Sequence, residues 1–206
     1  MHHVPSPSRI RFFATLVTVT LGIVLGAAPS EAQTRWWSGF TYQVSVGQQD
    51  TEFFSDNPSW RNFGLDFRAL VRPRVSVGLY TGWHTFDNRE DGTLSIGGVD
   101  VSGLQRRYAN VFPLLATGHY YLGSGRTRPF VGLGVGTYWI ENKVEVGLSS
   151  ITDSNWHLGL APELGVILPL GRGPSTYLSV RYNHAFESGD FQHAFWTFGV
   201  GIGTGF

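Results

Sequence analysis

Three sets of residues have types and spacing that could carry chemistry. His184, Glu187 and Ser188 stand close together near the C-terminus. A hydroxyl nucleophile needs a base within hydrogen-bond reach and an acid to orient that base, and these are the residue types for it. Asp66, Arg68, Glu163 and Arg181 form the second set, being the charges that interrupt otherwise apolar, alternating segments. The third set is acidic: Asp50, Glu52 and Asp56, then Asp87, Glu90, Asp91 and Asp100. Carboxylates are ligands for hard divalent cations, but this spacing fits no EF-hand, and solvated loop tips account for it. His84, His119, His157 and His193 are scattered, without a metal-ligand spacing. There are no cysteines, so no disulfide scaffold and no Cys-based zinc or redox site exists. No metal, cofactor or catalytic residue is expected.

The elements that would hold these residues are strands. From Arg35 onward, segments of about ten residues alternate in polarity between Gly-, Asp-, Asn- or Pro-rich breaks. Eight are expected, at 36–48, 59–71, 75–86, 105–122, 129–142, 154–168, 176–186 and 194–206. Side chains alternate across a strand, so each segment has one apolar register and one of glycine and polar residues. The last is the plainest: Trp196, Phe198, Val200, Ile202, Thr204 and Phe206 share one face, while Gly199, Gly201, Gly203 and Gly205 share the other. Strand four is the least regular, because Pro113 normally marks an edge or a bulge.

Charge makes up only 15% of the chain and aromatics as much, against about 25% charge in ordinary globular proteins. With formal net charge zero, nothing attracts nucleic acid. Arg9 and Arg11, the apolar run 12–28 and the small residues around Ala32 read as a secretory signal peptide over 1–32. A membrane anchor is the competing account, but the run is short for a span of about 20 residues. No later apolar run suits a membrane helix. A mature chain that enters a membrane must therefore do so as a closed barrel.

Three features favour the membrane barrel. Breaks 49–58, 87–103, 143–153 and 187–193 are longer or more polar, and alternate with short turns at 72–74, 123–128 and 169–175. Tryptophans sort by depth: Trp60, Trp83, Trp139, Trp156 and Trp196 fall at the loop ends, while Trp36 and Trp37 fall at the opposite end with Tyr120, Tyr177 and Phe206. Such bands are expected where amphipathic rings meet the two lipid–water boundaries. The apolar register also persists on every strand, whereas a soluble sandwich would charge its outer face. A soluble lipocalin-like barrel would have to turn glycines to solvent, and glycine weakens a strand.

Asp66, Arg68, Glu163 and Arg181 all fall on the inward register. The turn at 169–175 sets Leu168 opposite Thr176, which places Glu163 opposite Arg181 on the lumen face. An eight-stranded barrel is just wide enough to be filled by side chains, and charges buried there must pair. A structural plug is the expected role; a gated constriction for small solutes is the other.

The signal peptide, the eight strands, the 129–136 segment PFVGLGVG and the terminal Phe206 together resemble the small outer-membrane β-barrel proteins of Gram-negative bacteria, the OmpA-barrel, OmpX and OmpW-like group. The resemblance implies an all-β fold, an eight-stranded antiparallel transmembrane barrel of up-and-down order over 33–206, with both termini periplasmic. It implies that Trp196, Phe198, Val200, Ile202 and Phe206 form the signal read by the barrel-assembly machinery. Outer-membrane lipid and lipopolysaccharide would be its surroundings, and a monomer is expected. A non-enzymatic role in envelope integrity or surface interaction follows, with a narrow OmpW-like channel as the alternative. A second alternative is a PagL-like lipid A deacylase, but that pattern has Ser two residues after the His, where this chain has Phe186.

Overall fold

The computed structural model describes residues 35–49, 51–52, 57–96, 99–123, 125–146, 149–171, 173–188 and 191–205. The signal peptide at 1–32 and the terminal Phe206, both read from the sequence, lie outside them. Eight strands run β1 (Arg35–Gln49), β2 (Ser59–Arg72), β3 (Val75–Ile96), β4 (Val99–Tyr121), β5 (Arg128–Val146), β6 (Ser149–Pro169), β7 (Ser175–Ser188) and β8 (Phe191–Gly205). Each pairs antiparallel with the next, and β8 closes on β1 from Trp37–Gly205 to Gln49–His193. Closure leaves no unpaired edge in the barrel wall, which lipid would not tolerate.

The alternating registers sort by face. Phe67, Leu79, Leu114, Val135, Leu164, Phe198 and Ile202 stand on the outer wall, with Ile202 63% exposed. Tyr80, Leu115, Tyr138, Arg181 and Phe195 are buried in the lumen. An uninterrupted exposed apolar wall is unstable in water, and its natural solvent is lipid. Near the loop end the wall carries an aromatic band. Ring centroids step from Phe40 to Phe63 (6.3 Å), Trp83 (5.9 Å), Phe112 (5.2 Å) and Trp139 (5.2 Å). Trp156 sits directly across from Trp139, and Trp196 packs on Tyr182. Trp60 is exposed at the same end, and Trp36 and Tyr120 are exposed at the other.

Three expectations need correction. Neither Trp37 nor Tyr177 is a girdle residue: they are 1% and 2% exposed and pack on each other inside the barrel. Room for the indole comes from two glycines. A Cβ on Gly39 or on Gly203 would stand 2.3 Å from its ring. The lumen-facing glycines therefore do not leave the barrel open; they are the slots into which rings from neighbouring strands lie. Pro113 marks neither an edge nor a bulge. Pairs Thr81–Leu114 and His84–Val111 keep one register on either side of it. Only the rungs beside Pro113 are missing, as expected for a residue with no N–H.

The third correction concerns the loops. Residues 87–103 and 143–153 are mostly paired strand, with β3–β4 continuing to Ile96–Val99 and β5–β6 to Val146–Ser149. β3 and β4 are 22 and 23 residues long, roughly twice the 9–11 residues a tilted strand needs to cross a bilayer. Beyond the aromatic band both faces of the sheet can meet water, so the apolar alternation stops. The backbone still needs partners and finds them across the ribbon.

Candidate functional site

The charges of the wall converge at one level of the lumen. Asp66 and Arg68 come from β2, His119 from β4, Glu163 from β6, and Tyr177 and Arg181 from β7. Arg68 donates through Nε to Asp66 Oδ1 (2.9 Å) and through Nη2 to Oδ2 (2.7 Å), a two-pronged pair. The same Nη2 donates to the Tyr177 hydroxyl at 2.7 Å, and that hydroxyl donates to Glu163 Oε1. Glu163 Oε2 accepts from Arg181 Nη2 at 3.0 Å and from His119 Nε2 at 3.1 Å. Longer contacts cross-link the two pairs, Arg181 to Asp66 at 3.7 Å and Arg68 to Glu163 at 3.8 Å. Glu163 and Arg181 face each other directly on adjacent strands, so the four charged residues singled out in the sequence meet as one cluster. Every one of them is almost wholly buried.

Two acids and two guanidiniums cancel in charge, and ring-rich layers pack on both sides of them, the loop-side one interleaved with Gln43, His84 and Asn183. Toward the short turns, Trp37, Tyr121, Phe130, Ile167 and Tyr177 pack together. The Arg68 guanidinium lies 4.5 Å from the Phe130 ring centre and 4.9 Å from that of Trp37. Toward the loops, Tyr80, Phe86, Leu115, Tyr138 and Phe195 form the larger cluster, with Arg181 3.4 Å over Tyr80. Stacking a guanidinium on rings holds its apolar faces while its edges bond to carboxylates. Chemically the layer is a charge-neutral stopper in which Nη1 of Arg68, Nη1 of Arg181 and Nδ1 of His119 alone lack a partner among the described residues.

Asp66, His119 and Glu163 are metal-ligating types, with donor atoms within 4.8 Å of one another. They fit a metal poorly. Both carboxylates are engaged by arginines that already neutralise them, and a divalent ion would add its charge beside two guanidiniums.

Higher in the lumen the histidines are held by short polar contacts: His84 with Ser45 (3.1 Å), His193 with Thr51 (3.1 Å), and His157 with the Phe186 carbonyl (3.0 Å). His184 is on the outer wall, beside Gln192 at 3.1 Å and against the Tyr182 and Phe186 rings. Glu187 is exposed nearby, and the Ser188 side chain lies outside the described residues. Among the acidic set, Asp50 and Asp56 also lie outside them, as do the side chains of Glu90, Asp91 and Asp100. Asp87 is on β3 and pairs with Arg61 at 2.7 Å. The sequence reading did not place Tyr177, His119 or Trp37 in the charged layer. Parity was the available signal: Tyr177 shares the register of Arg181, and Trp37 that of Thr41 and Gln43.

No protein-family model matches the chain, and no curated protein matches it by sequence. Solved structures match it by shape. A major outer membrane protein from Thermus thermophilus aligns with a TM-score of 0.56 at 13% identity, over 84% of this chain and all of that one. Ail, the attachment invasion locus protein of Yersinia pestis, aligns at 0.55 and 14%, over 85% of this chain and all of that one. Neisserial surface protein A aligns at 0.51 and 12%, over 84% and 97%. At such identities the likeness is one of fold: that of the small eight-stranded outer-membrane barrels.

Proposed function

We propose that the chain is an integral outer-membrane protein with a sealed lumen, acting at the envelope surface rather than as an enzyme or a passage. The observation that carries this reading is the buried layer of Asp66, Arg68, Glu163 and Arg181, capped by rings above and below. A solute path would need a continuous polar lining, and this lumen is instead closed by side chains. What remains for partners is the outside: the belt for lipid and the β3–β6 ribbon beyond the aromatic band. Assembly as a monomer through Trp196, Phe198, Val200 and Ile202, with Phe206 last, belongs to the same reading. So does an orientation with both chain ends periplasmic.

Membrane fractions test the location. The chain should partition with the outer membrane and migrate differently on a gel when left unheated. Recovery in the soluble periplasmic fraction, with heat-insensitive migration, would overturn the proposal.

A further inference from the structure

The loop-side end of the lumen brings together side chains that no spacing along the chain relates. Asn142 comes from β5, His157 from β6 and His193 from β8, and all three are buried. The two imidazole rings stand edge to face with centroids 5.6 Å apart. His193 Nε2 is 3.3 Å from Asn142 Nδ2. Thr51 folds in from the first loop, and its hydroxyl lies 3.1 Å from His193 Nδ1. Gly47 leaves room for that fold, since a Cβ there would stand 3.1 Å from the Thr51 backbone.

These contacts set the tautomers. A carbonyl only accepts, so His157 Nδ1 donates to the Phe186 oxygen at 3.0 Å and the lone pair of the ring is on Nε2. The Asn142 amide nitrogen only donates, so His193 also carries its lone pair on Nε2, and its Nδ1–H faces Thr51. Both rings have Nδ1 held by a protein oxygen and Nε2 without a proton, the arrangement found in metal-ligating histidines. The third group is incomplete. Asn142 Oδ1 is shielded from solvent and has no partner among the described residues, which is rare for a buried acceptor. Turning the amide over puts Oδ1 beside His193 in place of Nδ2.

We propose that His157 Nε2, His193 Nε2 and Asn142 Oδ1 bind one divalent transition-metal ion of the zinc type, with water as the fourth ligand. Imidazole nitrogens select such ions over magnesium or calcium. Two ligands at about 2.0–2.1 Å from a tetrahedral ion stand about 3.3 Å apart, and two rings ligating through Nε2 have centroids about 5 Å apart. The corresponding separations here are 3.3 Å and 5.6 Å. The ion enters from the loop side, where Thr51 covers His193. Once bound it ties β5, β6 and β8 together and, through Thr51, fastens the first loop across the mouth. The site goes beyond the surface role proposed above and does not depend on it.

The test is titration of the untagged protein, purified from membranes in detergent and freed of metal, with zinc chloride by calorimetry. Bound zinc is then counted by mass spectrometry after dialysis. One zinc per chain should be retained, with no competition from magnesium. His157→Gln and His193→Gln, each checked for folding by heat-modifiable migration, should weaken binding about tenfold or more, and Thr51→Val about tenfold through the ring it orients. Asn142→Asp should tighten binding, because a carboxylate replaces a neutral oxygen; a histidine cluster that merely fills the lumen would show no such gain. His184→Gln, on the outer wall, should leave binding unchanged. No retained zinc, equal affinity in both lumen-histidine variants and the parent, or Asn142→Asp binding no better than the parent would each overturn the site.

Discussion

Replacing Arg181 with alanine should destabilise the folded barrel by about 3–5 kcal/mol, the usual cost of leaving a buried charge without its partner. Arg181 is 3.0 Å from Glu163 and 3.7 Å from Asp66, and its guanidinium covers the Tyr80 ring. Without it, two carboxylates share Arg68 alone in a lumen that the flanking rings keep dry. The loss would also leave a void beside Tyr80, adding a cavity cost. The double replacement Glu163→Gln with Arg181→Met removes one charge of each sign; the amide oxygen accepts from Tyr177, and the amide NH2 donates to His119 Nε2 once that ring carries its proton on Nδ1. It should lie within about 2 kcal/mol of the parent, because matched removal of a buried pair is often close to neutral. Urea unfolding in lipid vesicles, followed by tryptophan fluorescence, reads both values. A single replacement costing under about 1 kcal/mol, as exposed pairs do, would mean that water reaches this layer.

Leu79→Arg should cost about 2–4 kcal/mol in a bilayer, the value for a cation at mid-depth on a lipid-facing wall. Leu79 is 57% exposed and stands between Phe67 on β2 and Ala116 on β4, midway between the β2–β3 turn and Trp83. A soluble barrel would bear the same change at a few tenths of a kcal/mol, or gain solubility from it. Ser154→Arg is the matched comparison. Ser154 is exposed on the ribbon opposite Glu141, so a cation there meets water and a facing carboxylate. Equal costs at the two positions would contradict a lipid-facing belt.

Much of the fold was legible because a barrel wall between lipid and a packed lumen imposes strict alternation. Leu178, Val180 and Tyr182 against Ser179, Arg181 and Asn183 is that rule in six consecutive residues. Where lipid ends, so does the rule, and the pattern beyond Phe86 is that of a loop although the backbones of β3 and β4 pair there. Trp37 misleads for a related reason. Its residue type suggested a lipid boundary, while its parity placed it inside, and in a strand parity decides the face. The contact of Glu163 with Arg181 follows from one short turn. That of Arg68 with Tyr177 joins β2 to β7 and exists only once the barrel has closed. No count along the chain supplies a distance across the lumen.

Single-molecule conductance of the pure protein in planar bilayers tests the sealed lumen most directly. Inserted barrels should show no steady open state at neutral pH, with insertion verified by heat-modifiable migration of the recovered protein. A stable conductance that passes ions or small sugars would show that the Asp66–Arg68–Glu163–Arg181 layer is a constriction in a working channel, and would contradict the account.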